Sequence, residues 1–284
     1  MAQQIGVRIY RTKVGIIVGR DTFFYLLEKE IWDSFINDDH LYEKVLERVQ
    51  SMQQIPNGSN ILKSELLSPI QSQELWAAGV TYLRSKVGRQ EESKNTGGGD
   101  FYARVYEAER PELFFKGNAH RIVGHGDKVK IRKDSAWNVP EPELTLSITS
   151  GGKIVGYTIG NDMSSRSIEG ENPLYLPQAK TYDGCAALGP CIYVAPKPLP
   201  KETTIRLDVI RGTKSVFAGS VDLGQMKRSP EELVSYLYRE CSFPYGSMLM
   251  TGTGIVPRND FTLRQGDVIR ISIDPIGTLE NVVE

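Results

Sequence analysis

Beyond residue 125 the chain alternates. Apolar residues recur at every second position in KVKIRK, ELTLSIT, TIRLDVIRG and DVIRISID, the runs KIVGYTIGND, PCIYVA and KSVFAGSVD are short and apolar-rich, and Gly, Pro and Asp separate them all. Period-two alternation bounded by turn residues predicts short strands. The beginning of the chain reads the same way, as IGVRIYR, VGIIVG and TFFYLLE. Two stretches carry a helical period instead. In DDHLYEKVLERVQSM, Leu41, Val45, Leu46 and Val49 fall on one helical face, with Asp38 or Asp39 as the expected cap. In SPEELVSYLYRE, Ser229 and Glu232 form a capping box and Pro230 takes the first helical position. Many short strands and few helices predict a β-rich α+β fold, not alternating βαβ units.

The pattern also divides the chain. SELLSPIQSQELWAAGVTY reads as a linker, so residues 1–70 are expected to form a small N-terminal α/β module and 71–284 the main domain. The polar stretch RSKVGRQEESKNTGGGD, 84–100, offers nothing to a core and reads as a surface loop or a mobile lid over a site.

Composition and charge remove whole classes of function. With 284 residues, 40% hydrophobic and 24% charged, the chain is of ordinary globular make-up. A net charge of −1 lacks the basic excess of a nucleic-acid binder. No apolar run is long enough to span a membrane, and the opening MAQQIGVRIY lacks the basic-then-apolar start of a signal peptide, so a cytoplasmic protein is expected. Cys185, Cys191 and Cys241 make no metal or disulfide spacing and read as small buried residues in a reducing compartment. Cys185, in YDGCAALGP, sits in what looks like a site-lining loop. The histidines, His40, His120 and His125, have no partner at metal or triad spacing.

The chemistry concentrates in PEPELTLSI. Glu141 and Glu143 are two apart, so a strand points both to one face. Two carboxylates side by side need a cation or water between them. Asp162 ends the next strand-like run, and a hairpin through SGGK would return it beside the glutamates. Three carboxylates without histidine make a hard oxygen site suited to Mg²⁺, Mn²⁺ or Ca²⁺ better than Zn²⁺. The spacing alone also allows three solvated surface acids. Arg166 and Lys180 follow, either as partners for these acids and an anionic substrate or as surface charges. The Gly/Thr stretch MTGTGIVP, with Thr253 and Gly254, can offer N–H groups and hydroxyls to an anion. No GxSxG, P-loop or dinucleotide fingerprint occurs.

Taken in order, EPE, NDMSSR, AKTYDGCAALGP and TGTGI resemble the fumarylacetoacetate hydrolase superfamily over roughly residues 75–284. The resemblance implies that family's β-sandwich roll, with Glu141, Glu143 and Asp162 as ligands of Mg²⁺, or of Mn²⁺ or Ca²⁺. RPELFFKGNAHRIVGHGD, WNVPEPEL and EGENPLYLPQAKTY look like the branch of the family that dehydrates 2-keto-3-deoxy-D-arabinonate to 2,5-dioxopentanoate. One departure favours that branch. Hydrolase members carry Y-x-x-H-x-x-E, whose His and Glu activate water. Here the stretch is TYLRSKVGRQEE, with Ser85 in the His place and Gly88 in the Glu place, leaving only Glu91 or Glu92 to stand in.

By this resemblance Glu112, in RPELFF, is the catalytic base, and Lys180, also catalytic, binds the carbonyl side of the substrate or stabilises the enolate. Arg166 binds substrate or braces the acids. Thr253 and Gly254 hold a carboxylate or hydroxyl, and Phe115 lines the substrate pocket. The implied protein is a metal-dependent hydro-lyase for a small 2-keto acid, a homodimer or homotetramer, without nucleic-acid or membrane partners. The alternatives are a hydrolase of acylpyruvates or 2,4-diketo-3-deoxy sugar acids, and a catalytically silent, metal-stabilised binding protein.

Overall fold

The computed structural model describes residues 6–85 and 104–284. A meander opens the chain, β1 (Val7–Thr12), β2 (Gly15–Arg20) and β3 (Phe23–Leu27). Three helices follow, α1 (Trp32–Ile36), α2 (Leu41–Gln50) and α3 (Gly58–Glu65). Next come β4 (Glu74–Gly79), β5 (Glu112–Asn118), and the short β6 (Ile122–Val123) and β7 (Lys128–Val129). The long hairpin of β8 (Asn138–Ile148) and β9 (Ile154–Ser165) leads through α4 (Arg166–Glu171) and α5 (Leu176–Lys180) to β10 (Ala186–Val194). The remainder is β11 (Thr204–Arg211), β12 (Lys214–Asp222), α6 (Pro230–Leu237), β13 (Ser247–Met250), β14 (Val268–Ile273) and β15 (Gly277–Val283).

Among the described residues these strands form two sheets. The larger runs β3-β2-β1-β10-β9-β8-β13-β4-β5, with β6 beside β10, and the smaller runs β12-β11-β14-β15-β7. One apolar cluster fills the space between them, including Leu144, Leu146 and Ile159 from the larger sheet, Leu207, Val209, Ile269 and Ile271 from the smaller, and Leu233 and Leu237 from α6. A second cluster covers the larger sheet's other face. It joins Val7 and Ile9 of β1, Trp32, Phe35 and Ile36 of α1, and Leu41 and Val45 of α2 to Leu188, Met248 and Met250. Each such Leu or Ile contributes about 1.5–3 kcal/mol of transfer free energy. The larger sheet is therefore apolar-packed on both sides, and any polar group within it must find its partner inside the protein.

The strand-rich architecture matches the alternation of the sequence, and the SPEELVSYLYRE helix begins as expected, with Ser229 Oγ accepting from the Glu232 N–H at 3.1 Å. Several expectations are corrected. The supposed linker contains β4, paired in parallel with β13 and antiparallel with β5. RPELFFKGN, which has no clean alternation, is β5, and KVKIRK yields only the two residues of β7. Neither Asp38 nor Asp39 caps α2. His40 stands at the N-cap, Asp38 accepts from its N–H at 2.9 Å, and Asp39 accepts from the Thr149 hydroxyl at 2.5 Å. Cys185 and Cys191 are buried but Cys241 is exposed. The N-terminal strands are not set apart, because β1 pairs antiparallel with β10 and extends the larger sheet. Among the described residues no helix is long and apolar enough to cross a membrane. Of the 84–100 segment, only Arg84 and Ser85 belong to the described residues, so Gly88, Glu91 and Glu92 lie outside them.

Candidate metal centre and active site

The β8–β9 hairpin brings the three acids together. Its register sets Glu141 opposite Asp162 and Glu143 opposite Gly160. Pro140 and Pro142, which cannot donate to a ladder, lie in the half of β8 that β13 does not reach, since β13 pairs only with Thr145–Ile148. The strand can thus carry two prolines beside the site without losing bonds to a second neighbour. The ligand oxygens of Glu141, Glu143 and Asp162 lie within 4.8 Å of one another, and all three residues are buried.

Three buried cations surround them. The Lys180 ammonium, at the end of α5, donates to Glu141 Oε2 at 2.6 Å, Asp162 Oδ2 at 2.9 Å and Ser164 Oγ at 2.5 Å. Arg166, the first residue of α4, places Nη2 at 2.5 Å from Glu141 Oε1 and Nη1 at 3.2 Å from Glu169 Oε2. Lys116, on β5, stands at 2.6 Å from Asp162 Oδ1. Glu169 also approaches Lys180, at 3.4 Å. Neither Lys116 nor Glu169 was anticipated. The available signals were a lysine interrupting the apolar run ELFFKGN, and a glutamate three residues after Arg166, on the same helical face.

The remaining candidates divide. Ala78, Gly79, Val80, Ser85, Phe114 and Thr253 line the pocket together with the acids, Arg166 and Lys180. Val80 holds φ at 53°, a left-handed conformation that a β-branched side chain adopts only under constraint. Glu112 faces Gly79 across the β4–β5 ladder, and its carboxylate lies so close that a Cβ on Gly79 would stand 2.1 Å from Oε2. Phe114, not Phe115, is the aromatic of the pocket, with the Lys180 ammonium 5.6 Å from its ring centre. Phe115 instead packs edge-on against Trp76. Thr253 keeps its hydroxyl on the backbone of Ile255, accepting from its N–H at 3.1 Å. Gly254 packs against Tyr82 and Val221, and the anion-binding N–H of this loop belongs to Gly252, which donates to Glu143 Oε2 at 2.5 Å.

Electrostatics explain what such a site wants. Burial raises the Glu143 carboxyl well above the ordinary carboxylate range, and the nearby charges of Asp162 and Glu141 push it the same way, against the pull of Lys180 and the Gly252 N–H. With all four ionised, as metal ligation would require of Glu143, the buried carboxylates Glu141, Glu143, Asp162 and Glu169 outnumber the buried cations Lys116, Arg166 and Lys180 by one negative charge. A divalent cation and one substrate carboxylate would together bring this interior to neutrality. The all-oxygen donor set fits Mg²⁺, which would be held by Glu141, Glu143 and Asp162.

The fold and this acidic hairpin define a family. Residues 81–284 match the model described as fumarylacetoacetate (FAA) hydrolase C-terminal, and the chain belongs to that family. Within it, the chain is 48% identical over 217 residues to a probable 2-keto-3-deoxyxylonate dehydratase of Haloferax volcanii, covering 76% of this chain and 73% of that protein. It is 44% identical over 216 residues to the 2-dehydro-3-deoxy-D-arabinonate dehydratase of Saccharolobus solfataricus, covering 75% and 72%. A solved structure of 2-keto-3-deoxy-D-arabinonate dehydratase complexed with magnesium and 2,5-dioxopentanoate superposes with a TM-score of 0.81 at 33% identity, over 99% of both chains.

Proposed function

We propose that this protein is a Mg²⁺-dependent dehydratase of 2-keto-3-deoxy sugar acids, converting 2-keto-3-deoxy-D-arabinonate to 2,5-dioxopentanoate and water. The observation that carries this reading is the buried triad of Glu141, Glu143 and Asp162 with the Lys180 ammonium against two of its members. The dehydratase relatives and the magnesium-bound neighbour support it.

When bound, the ion supplies Lewis acidity toward the 2-keto acid, which makes the C3 protons removable. Glu112 takes one of them. Its carboxyl then returns the proton to the departing C4 hydroxyl, which leaves as water. Two further proton shifts, from C5 to C3 and from the C5 oxygen to C4, leave an aldehyde at C5 with all five carbons retained. Lys180 faces the oxygen where negative charge develops, and Glu169 and Arg166 hold it there. Arg166, engaged by two carboxylates, braces the acids. Thr253 and Phe114 shape the wall that the sugar chain meets.

The hydrolytic alternative needs a base to activate water, and Ser85 is unsuited to it. Its hydroxyl donates to Tyr82 O at 2.7 Å and accepts from the Tyr82 N–H at 3.2 Å. The same proposal extends to a cytoplasmic homodimer or homotetramer, supported by the exposed apolar residues Phe23, Leu174 and Tyr175 and checked by sedimentation.

The deciding experiment incubates the protein with 2-keto-3-deoxy-D-arabinonate and Mg²⁺, with and without chelator, and weighs the products. Loss of one water with the carbon chain intact, abolished by chelation, is the expected result. Cleavage of an acylpyruvate without dehydration would replace this reading with the hydrolase.

A further inference from the structure

The mechanism above gives Lys116 no role, yet it is fully buried, and a buried ammonium is costly unless every proton is used. The partners of its ammonium lie beside the site. It is 2.6 Å from Asp162 Oδ1, it donates to Met163 O at 2.9 Å, and it donates to the carbonyl of Lys180. These partners sit on two different elements, β9 and the end of α5.

The backbone is shaped to make this reach. In the β4–β5 ladder Leu75 pairs with Gly117 and Trp76 with Phe115, so Lys116 is the extra residue of a β-bulge. Bulges next to active sites turn a side chain away from the direction that simple alternation would give it. A Tyr182 ring at 5.8 Å and the Cys185 thiol, which donates to the Lys116 carbonyl at 3.6 Å, close the space behind it. Asp162 is therefore held from both sides, Oδ1 by Lys116 and Oδ2 by Lys180.

We propose that Lys116 is a positioning residue: it fixes the Asp162 carboxylate for divalent-cation binding and ties to it the helix end that carries Lys180. This inference rests on reading Glu141, Glu143 and Asp162 as metal ligands. Hydrogen-bonding partners of ligating carboxylates typically govern metal affinity by about 10–100-fold. One lysine thereby couples two functional groups that come from different parts of the chain.

The test is Mn²⁺ titration of the metal-free protein by calorimetry, for wild type, Lys116→Met and Lys116→Gln, alongside their unfolding midpoints in chelator. Met keeps the apolar stem and removes every donor, whereas Gln is milder because it keeps a neutral donor. The expected result is Mn²⁺ binding weaker by about tenfold or more in Lys116→Met and by less in Lys116→Gln. The Mg²⁺ concentration for half-maximal turnover should rise by the same factors. A merely structural lysine would lower the metal-free midpoint and leave the affinity of the folded protein unchanged. Wild-type affinity in whichever variant folds overturns the positioning role alone. A wild-type protein that takes up no Mn²⁺ overturns the metal reading and this inference with it.

Discussion

Two hairpins of this protein carry the same pattern and use it in opposite ways. In β11 and β12 the apolar Ile205, Leu207 and Val209 face the core, while polar residues pair near solvent, as Ser215 does with Asp208 at 2.5 Å and Thr204 with Asp222 at 2.6 Å. In β8, Leu144, Leu146 and Ile148 face that same core, and Glu143, Thr145 and Ser147 alternate with them. Yet all eleven residues of β8 are buried. The difference lies in what covers the second face. The smaller sheet leaves it to water, whereas the N-terminal helices α1 and α2 pack over the larger one. A polar alternate position is a solubility device in the first case and a confined, charge-dense site in the second.

Substitution at matched acids gives the widest contrast. Asp162→Asn removes the carboxylate shared by Lys116 and Lys180, which should abolish turnover and cost about 3–5 kcal/mol of stability in denaturant unfolding. Asp208→Asn, on the open hairpin, should stay within about 0.5 kcal/mol of wild type. Comparable losses at the two positions would break the contrast. Glu112→Gln should lower kcat by about 10²–10⁴-fold while leaving the calorimetric Mn²⁺ affinity as it is. Retained turnover would remove Glu112 from the reaction.

Glycines sharpen the comparison further. Gly252, at φ 91°, and Gly212, at φ 62° in the β11–β12 turn, both lie in the left-handed region, so alanine costs about 1–2 kcal/mol at either. Only at Gly252 would the new Cβ also collide, 2.0 Å from Thr81 Oγ1, whereas nothing lies within 4 Å at Gly212. Gly252→Ala should therefore destabilise more, and weaken Mn²⁺ binding because its N–H holds Glu143.

The smallest effect concerns pH. The Glu143 carboxyl is raised in the folded protein, so the folded state holds its proton where the unfolded chain has released it. The stability from this group is fully present below the ordinary glutamate value and is lost as pH rises through the raised one. In chelator the unfolding midpoint should fall on going from about pH 5 to pH 8, and Glu143→Gln should flatten that slope. Equal slopes in both proteins would show that Glu143 is ionised without difficulty.

The hairpin, its turn and the convergence of Glu141, Glu143 and Asp162 were legible because they depend on local periods and a short connection. The capping of α6 by Ser229 was legible for the same reason. Less was visible where long-range packing decides. β4 reads as a linker because ELWAAG has no alternation, as befits a strand between β13 and β5. Lys116 could not be placed from period two, since a bulge turns it inward. Phe115 and Phe114 exchange places for a related reason, adjacent residues on opposite faces being separated only by register.

The position of β4 bears on how the molecule can be divided. The family match begins at residue 81, but β4 ends at Gly79 and fills the place between β13 and β5. A polypeptide cut at that boundary would keep every acid of the site and lose the strand against which β5 is registered. Glu112 and Lys116 would then hang on an unanchored ribbon, and β10 would present the bare edge that β1 now covers. The smallest heritable unit of this activity is thus longer than its most recognisable stretch of sequence. Shuffling the chain at residue 81 would transmit the ligands without their geometry.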